Sequence, residues 1–147
     1  MSKLISGKQL SIEMLEELKN KVSLLNSHPK LVVVLVGDNK ASEIYIRKKC
    51  EACKEIGIEF NLIKKTNDIS QSELIELIEL IKLLNDDVSV NGYIIQLPLP
   101  KHLNIDKLIN YIDPKKDVDC FHPSNIGLLT TTNNPQYFIP PTPGGCY

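Results

Sequence analysis

Three short stretches hold side chains whose types and spacing could do chemistry. The first runs from Ser42 through Tyr45 and Lys49 to Cys53. In a helix turning about 100° per residue, Ser42, Tyr45, Lys49, Ala52, Cys53 and Ile56 fall within an arc of roughly 100°. Glu43, Arg47, Glu51, Lys54 and Glu55 lie on the other side. Lys49 is thus set in the apolar stripe, between Tyr45 and Cys53. Such a lysine must reach solvent along its stem, pair with an acid, or line a cleft. In a cleft, a lysine kept from water can give or take a proton near neutral pH.

The second stretch is Gln96-Leu97-Pro98-Leu99-Pro100. It leaves the carboxyl end of a strand, the edge where open parallel α/β sheets bind ligands. Gln96 would point an amide there, and the prolines would fix the loop. A rigid strand exit with no ligand role fits the same residues. The third stretch is Lys115-Lys116-Asp117-Val118-Asp119. Its two carboxylates alternate at strand spacing and face opposite ways unless the chain bends. One could be held by the flanking lysines while the other faces a site. Without more context, such a stretch is more often a solvated turn.

The surrounding elements follow from periodicity. Helical spacing predicts helices over Gln9–Asn26, Ala41–Ile56 with Gly57 as the stop, and a third ending at Leu84. Ser70-Gln71-Ser72-Glu73 has the form of a capping box opening that third helix. A short helix over Asn104–Tyr111 ends near Pro114. Leu31–Val36 is a continuous β-branched and leucine run, suited to a strand buried on both faces. Ile58–Lys64 and Gly92–Leu97 supply two more strands. This alternation predicts an α/β domain, a three-layer α/β/α arrangement around a mostly parallel sheet. From Lys115 on, the sequence reads as irregular, and the closing Pro140-Pro141-Thr142-Pro143-Gly144-Gly145 resembles a linker.

Composition narrows the classes of function. The chain has 147 residues, enough for one domain, with 42% hydrophobic and 24% charged residues and a net charge of −1. No basic stripe suggests nucleic acid, and the longest apolar run falls far short of the roughly 20 residues of a membrane span. The N-terminus lacks a signal peptide's apolar region, which predicts a cytoplasmic location. His28, His102 and His122 show no ligand spacing, so no metal site is expected. Cys50-x-x-Cys53 has the spacing of a redox or zinc pair, but Cys120 and Cys146 stand apart, and plain thiols are the simpler reading. The glycines form neither G-x-G-x-x-G nor a phosphate loop, so no dinucleotide site is expected in this chain.

Taken together, the motifs resemble one family in order and spacing. The segment from Val36-Gly37 through Ala41-Ser42, Tyr45 and Lys49 is similar to the V-G-x-x-x-A-S-x-x-Y-[VI]-x-x-K segment of the methylenetetrahydrofolate dehydrogenase/methenyltetrahydrofolate cyclohydrolase family. Gln96 to His102 resembles its Q-L-P-L-P-x-H segment. Lys116 to Gly127 resembles K-D-V-D-G-F-H-P-x-N-x-G, and Pro140 to Gly144 resembles P-C-T-P-x-G. The resemblance covers nearly the whole chain.

The resemblance implies that residues 1–147 form the family's N-terminal folate-binding catalytic domain. The NADP-binding Rossmann domain that follows in the family would lie outside this sequence. It implies NADP-dependent oxidation of 5,10-methylenetetrahydrofolate and hydrolysis of the methenyl product to 10-formyltetrahydrofolate. The parent would be a cytoplasmic homodimer of one-carbon metabolism serving purine biosynthesis, with no nucleic-acid or membrane partner. By the same resemblance, Lys49 is the central catalytic group, Gln96 contacts it, and Tyr45 packs on the folate rings. Asp119 hydrogen-bonds the pterin's amidine edge. Ser42, Leu97, Pro140 and Gly144 border the folate. Two departures stand out: Cys120 replaces a usual glycine, and Pro141 a usual cysteine. The rival readings are a non-catalytic folate-binding fragment or interaction domain, and a Cys50/Cys53 redox or zinc module.

Overall fold

The computed structural model describes residues 6–66, 71–131 and 138–145, with residues 71 and 72 by backbone only. Three strands, β1 (Lys30–Val36), β2 (Glu59–Lys65) and β3 (Gly92–Ile95), form a parallel sheet in the order β2-β1-β3. β1 is central. Val33 pairs with Leu62 on one side and Ile94 on the other. Alternation along the strands divides the core between two faces. Val32, Val34, Val36, Tyr93 and Ile95 pack against α3 (Gln71–Asp86) through Leu77, Ile81 and Leu84, and against α4 (Ile105–Ile109) through Leu108. Val33, Leu35 and Ile94 pack on the other face, against Ile46 of α2 (Lys40–Ile56). Helices on both sheet faces give the expected three layers.

Helix α2 forms where its caps dictate. Asn39 accepts the Ser42 N–H at 3.0 Å, and Gly57 ends the helix at φ 83°, a left-handed geometry that costs glycine least. The buried residues of α2 are Ser42, Ile46, Cys53 and Ile56. Ile46 therefore belongs to the buried stripe and Tyr45, 59% exposed, does not. The apolar arc expected from spacing is rotated toward Ile46. That rotation leaves Tyr45 and Lys49 at the rim, where the stripe meets an open cleft.

Helix α1 (Gly7–Ser23) starts at the cap Ser6 and buries only Val22. Its expected apolar face, Leu10, Met14 and Leu18, is exposed, so periodicity was right about the helix and not about what covers it. The capping box at Ser70 lies outside the described residues. β3 ends at Ile95 and not at Leu97. Gln96 N–H still donates to Val34 O at 2.9 Å, and the chain then leaves through a cis Leu97–Pro98 peptide.

Among the described residues, those beyond Lys115 are more ordered than their sequence suggests. Tyr93 bridges Asp117 in parallel, with Tyr93 N–H donating to Lys116 O at 3.0 Å, so residues 116–118 run alongside β3. Gly92 permits this approach, because a Cβ there would fall inside the van der Waals surface of Val118. Two further helices follow: α5 (Pro123–Thr131), with proline at its first position, and the single turn α6 (Pro141–Gly144). Helix α5 escapes a periodicity test because Asn125, Gly127, Thr130 and Thr131 are poor helix formers and its only buried residue is polar.

Candidate functional site

The site lies at the carboxyl end of the sheet, between α2, the β3 exit and the turn after residue 116. Lys49 is half-buried and its Nζ is 3.4 Å from Gln96 Oε1, a long hydrogen bond in which the lysine donates. The same ammonium stands 5.1 Å from the centroid of the Tyr45 ring, within cation–π range. Gln96 is held by its own neighbour: its Nε2 donates to Leu97 O at 2.9 Å. Ser42 Oγ, buried, approaches the same carbonyl at 3.4 Å. The Leu97 carbonyl thus ties the helix to the strand exit and orients the amide that faces Lys49. Since Gln96 Nε2 is occupied by that carbonyl, its Oε1 is the end left for the lysine.

Asp119 follows in the turn after residue 116. Burial pushes its carboxyl above the ordinary carboxylate range, Lys49 acts against that shift, and Asp117 adds to it. The Lys49 charge thus favours the ionised form of Asp119. Tyr45, Lys49 and Gln96 come together although they are spread over some fifty residues of chain. Pro140 and Gly144 are not drawn into this group by any hydrogen bond among the described residues. Gly144 N–H donates to Pro140 O at 3.0 Å within their own turn.

The Asp117–Asp119 stretch corrects the sequence reading in one respect. The flanking lysines do not hold Asp117. Lys116 Nζ instead donates to the carbonyls of Leu84, Asn85 and Asp87, closing the C-terminal end of α3 where the helix dipole favours a cation. Asp117, 1% exposed, accepts from the N–H groups of Phe121 and His122 and from Asn125 Nδ2. Cys120 adopts φ 59°, so a cysteine occupies the left-handed backbone position where the motif has glycine. Asn125 carried no assigned chemistry in the sequence. Its signal was its place in the H-P-x-N-x-G segment, but only the fold shows it buried against a carboxylate.

Other features stand apart from the cleft. Cys50, Cys53 and Cys120 are free thiols, and burial pushes Cys53 and Cys120 up. Among the described residues no three His, Cys, Asp or Glu side chains are grouped to hold a metal ion. No described helix is long and apolar enough to cross a membrane. His102, alone in the sequence, meets Glu73 with Nε2 to Oε2 at 2.7 Å, joining the end of the proline-rich loop to the start of α3. A cavity of about 570 Å³ lies on the far flank of α2, floored by Leu35, Ile46, Phe60 and Leu62. It is not lined by Lys49, Gln96 or Asp119, so size does not make it the site.

The comparisons with known proteins converge. A family model described as tetrahydrofolate dehydrogenase/cyclohydrolase, catalytic domain, matches residues 5–119, a span that includes every residue of the Lys49 cleft but not Pro140 or Gly144. The chain is 47% identical over 147 residues to the bifunctional protein FolD of Acetivibrio thermocellus, covering 98% of this chain and 50% of that protein. It is 46% identical over 141 residues to the bifunctional protein FolD of Vesicomyosocius okutanii, covering 96% of this chain and 49% of that protein. The crystal structure of the bifunctional enzyme FolD, methylenetetrahydrofolate dehydrogenase/cyclohydrolase, from Campylobacter jejuni superposes with a TM-score of 0.87 at 43% identity. That superposition covers 95% of this chain and 49% of the other. The chain spans about half the length of the curated relatives it matches.

Proposed function

The chain belongs to the tetrahydrofolate dehydrogenase/cyclohydrolase family, and from that premise we propose that it is the folate-binding catalytic domain of a bifunctional enzyme. The parent oxidises 5,10-methylenetetrahydrofolate and hydrolyses the methenyl product to 10-formyltetrahydrofolate. The observation that carries the reading is the placement of Lys49 between the Tyr45 ring and Gln96 Oε1.

Each group then has a task. The exposed face of Tyr45 is a platform for a flat heteroaromatic ring. Asp119, when ionised, accepts hydrogen bonds from the donor edge of the pterin. Hydrolysis of a methenyl bridge adds water to a cationic carbon and opens one of its C–N bonds. A proton must leave the water and another must reach the departing nitrogen. Lys49 Nζ can relay protons there, and Gln96 Oε1 fixes the direction of its N–H. Ser42 and Leu97 act through the carbonyl that orients Gln96, and Pro140 and Gly144 are assigned to the border of the folate cleft by their motif.

NADP is assigned as the acceptor for the oxidation on the strength of the family resemblance. This chain's glycines form no dinucleotide loop, so its residues orient the folate and do not cradle the nucleotide. The proposal extends to a homodimeric parent, cytoplasmic, supplying one-carbon units for purine biosynthesis. Its partner is the small-molecule folate, with no nucleic-acid or membrane role, a reading supported by the net charge of −1 and the interspersed charges.

The test is titration of the chain with tetrahydrofolate kept reduced under thiol. Saturable binding that weakens in Tyr45→Ala and Asp119→Ala is expected. Binding unchanged by both substitutions would remove the site. Binding by a parent that turns over neither substrate would leave only a folate-binding module.

A further inference from the structure

Asp117 and Asn125 form a buried polar pair that the folate chemistry above does not use. Asp117 is 1% exposed and Asn125 4%. A carboxylate so placed is costly to bury unless its lone pairs are filled. Here three donors fill them: Phe121 N–H to Oδ1 at 3.1 Å, His122 N–H to Oδ2 at 2.8 Å, and Asn125 Nδ2 to Oδ2 at 2.9 Å. Asn125 Nδ2 also donates to Pro114 O at 2.9 Å, so one amide nitrogen ties both Pro114 and Asp117 to α5.

Between Asp117 and residues 121 and 122 the backbone folds into a tight turn. Cys120 N–H donates to Asp117 O at 3.2 Å, and Cys120 takes φ 59° to let the chain come back on itself. Asp119 is the third residue of that turn. Its direction is set by where Asp117 is anchored and by where residues 121 and 122 are held. On the other side, Asp117 is bridged to Tyr93, so the turn is referenced to the strand that delivers Gln96.

We propose that Asp117 and Asn125 are positioning residues that aim Asp119 into the Lys49 cleft and so set the affinity for the donor edge of the folate ring. The inference rests on the folate reading proposed above. Neither residue touches substrate, and their effect passes wholly through Asp119.

Thermodynamic coupling tests this directly. The dissociation constant for tetrahydrofolate is measured for the chain, Asn125→Ala, Asp119→Ala and the double variant. Asp119→Ala is expected to weaken binding by roughly 10- to 100-fold, the worth of a charged hydrogen bond. Asn125→Ala should weaken it by about 10-fold, and the double variant should bind no worse than Asp119→Ala alone, since the two share one path. Should Asn125→Ala fail to fold, Asn125→Ser keeps a donor near Asp117 and should show a smaller loss with the same lack of additivity. Losses that multiply in the double variant would overturn the proposal, as would an Asn125 variant that binds like the parent. If the unsubstituted chain binds no tetrahydrofolate, the folate reading falls and this inference falls with it. If it binds and the Asn125 variants bind equally well, only the inference falls.

Discussion

The two walls of the cleft are held by different forces. The wall made by α2 and the β3 exit stands on apolar packing: Ile46 presses on Val33, Leu35 and Ile94, and Lys49 and Tyr45 ride at the edge of that contact. The wall made by residues 113–125 stands on hydrogen bonds to one buried carboxylate. Packing is spread over many small contacts, each replaceable at moderate cost. A carboxylate hub is concentrated, and losing it orphans several donors at once. The two walls should therefore respond differently to substitution.

The sharpest break in that comparison is Asp117→Ala. It leaves the N–H groups of Phe121 and His122 without their acceptor and takes one of two from the Asn125 amide, and it should destabilise the chain by about 3 kcal/mol or more, read by urea unfolding. A volume-conserving change on the packed wall, Ile46→Leu, should cost less than about 1.5 kcal/mol. Equal losses would erase the distinction.

Gly92→Ala comes next. Its Cβ would collide with Val118, so either β3 or the 116–118 segment must shift, at about 1–3 kcal/mol by thermal melting. Folate affinity should fall with stability, because the displaced segment carries Asp119. An alanine tolerated without loss of either would mean that the segment does not lean on β3.

A pH dependence sharpens the account further. Asp119 in the folded chain titrates above its ordinary range, chiefly through burial. A raised carboxyl pKa means that the folded state binds more protons than the unfolded one between the two values. Stability of the ligand-free chain should thus fall as pH rises from the ordinary carboxylate pKa through the raised one, and Asp119→Asn should flatten that slope. Folate affinity should run the opposite way over the same window, strengthening as Asp119 ionises. Parallel slopes with and without the substitution would show that another group titrates there.

Cys120→Gly has the smallest expected effect. Glycine relieves the left-handed backbone but gives up a buried side chain and gains freedom when unfolded, so the net change should stay within about 1 kcal/mol. A large loss would show that the thiol's packing, and not the backbone turn, is what this position contributes.

The same contrast explains what the sequence revealed. The packed wall was legible because period 3.6 and period 2 mark which side chains are buried, and α2, β1, β2 and β3 came within a few residues of their expected bounds. The rotation that puts Ile46 inside and Tyr45 at the rim was not legible, since an arc of spacing has no knowledge of which flank meets the sheet. The hydrogen-bonded wall has no period at all. Asp117 looked like a solvated charge and Lys116 like its partner, because charge proximity along a chain does not report where each side chain turns. Helix α1 was legible as a helix from its stripe, yet burial of that stripe depends on what packs against it. Lys49 and Asp119 were expected to share a cleft from the helix face and the strand-end rule, with their roles taken from the family resemblance. Which helix face and which strand end meet depends on a crossover that local pattern does not encode.

In the proposed function, Lys49 handles protons while the Tyr45 platform and Asp119 hold the folate. In the parent enzyme, Lys49→Met keeps most of the stem but no proton and no charge. Methenyltetrahydrofolate hydrolysis, followed by loss of the methenyl absorbance, should drop by at least about 100-fold, while the dissociation constant for tetrahydrofolate stays within a few-fold. Hydrolysis at the parent rate by Lys49→Met would contradict the account and return Lys49 to a lysine at the edge of an apolar stripe.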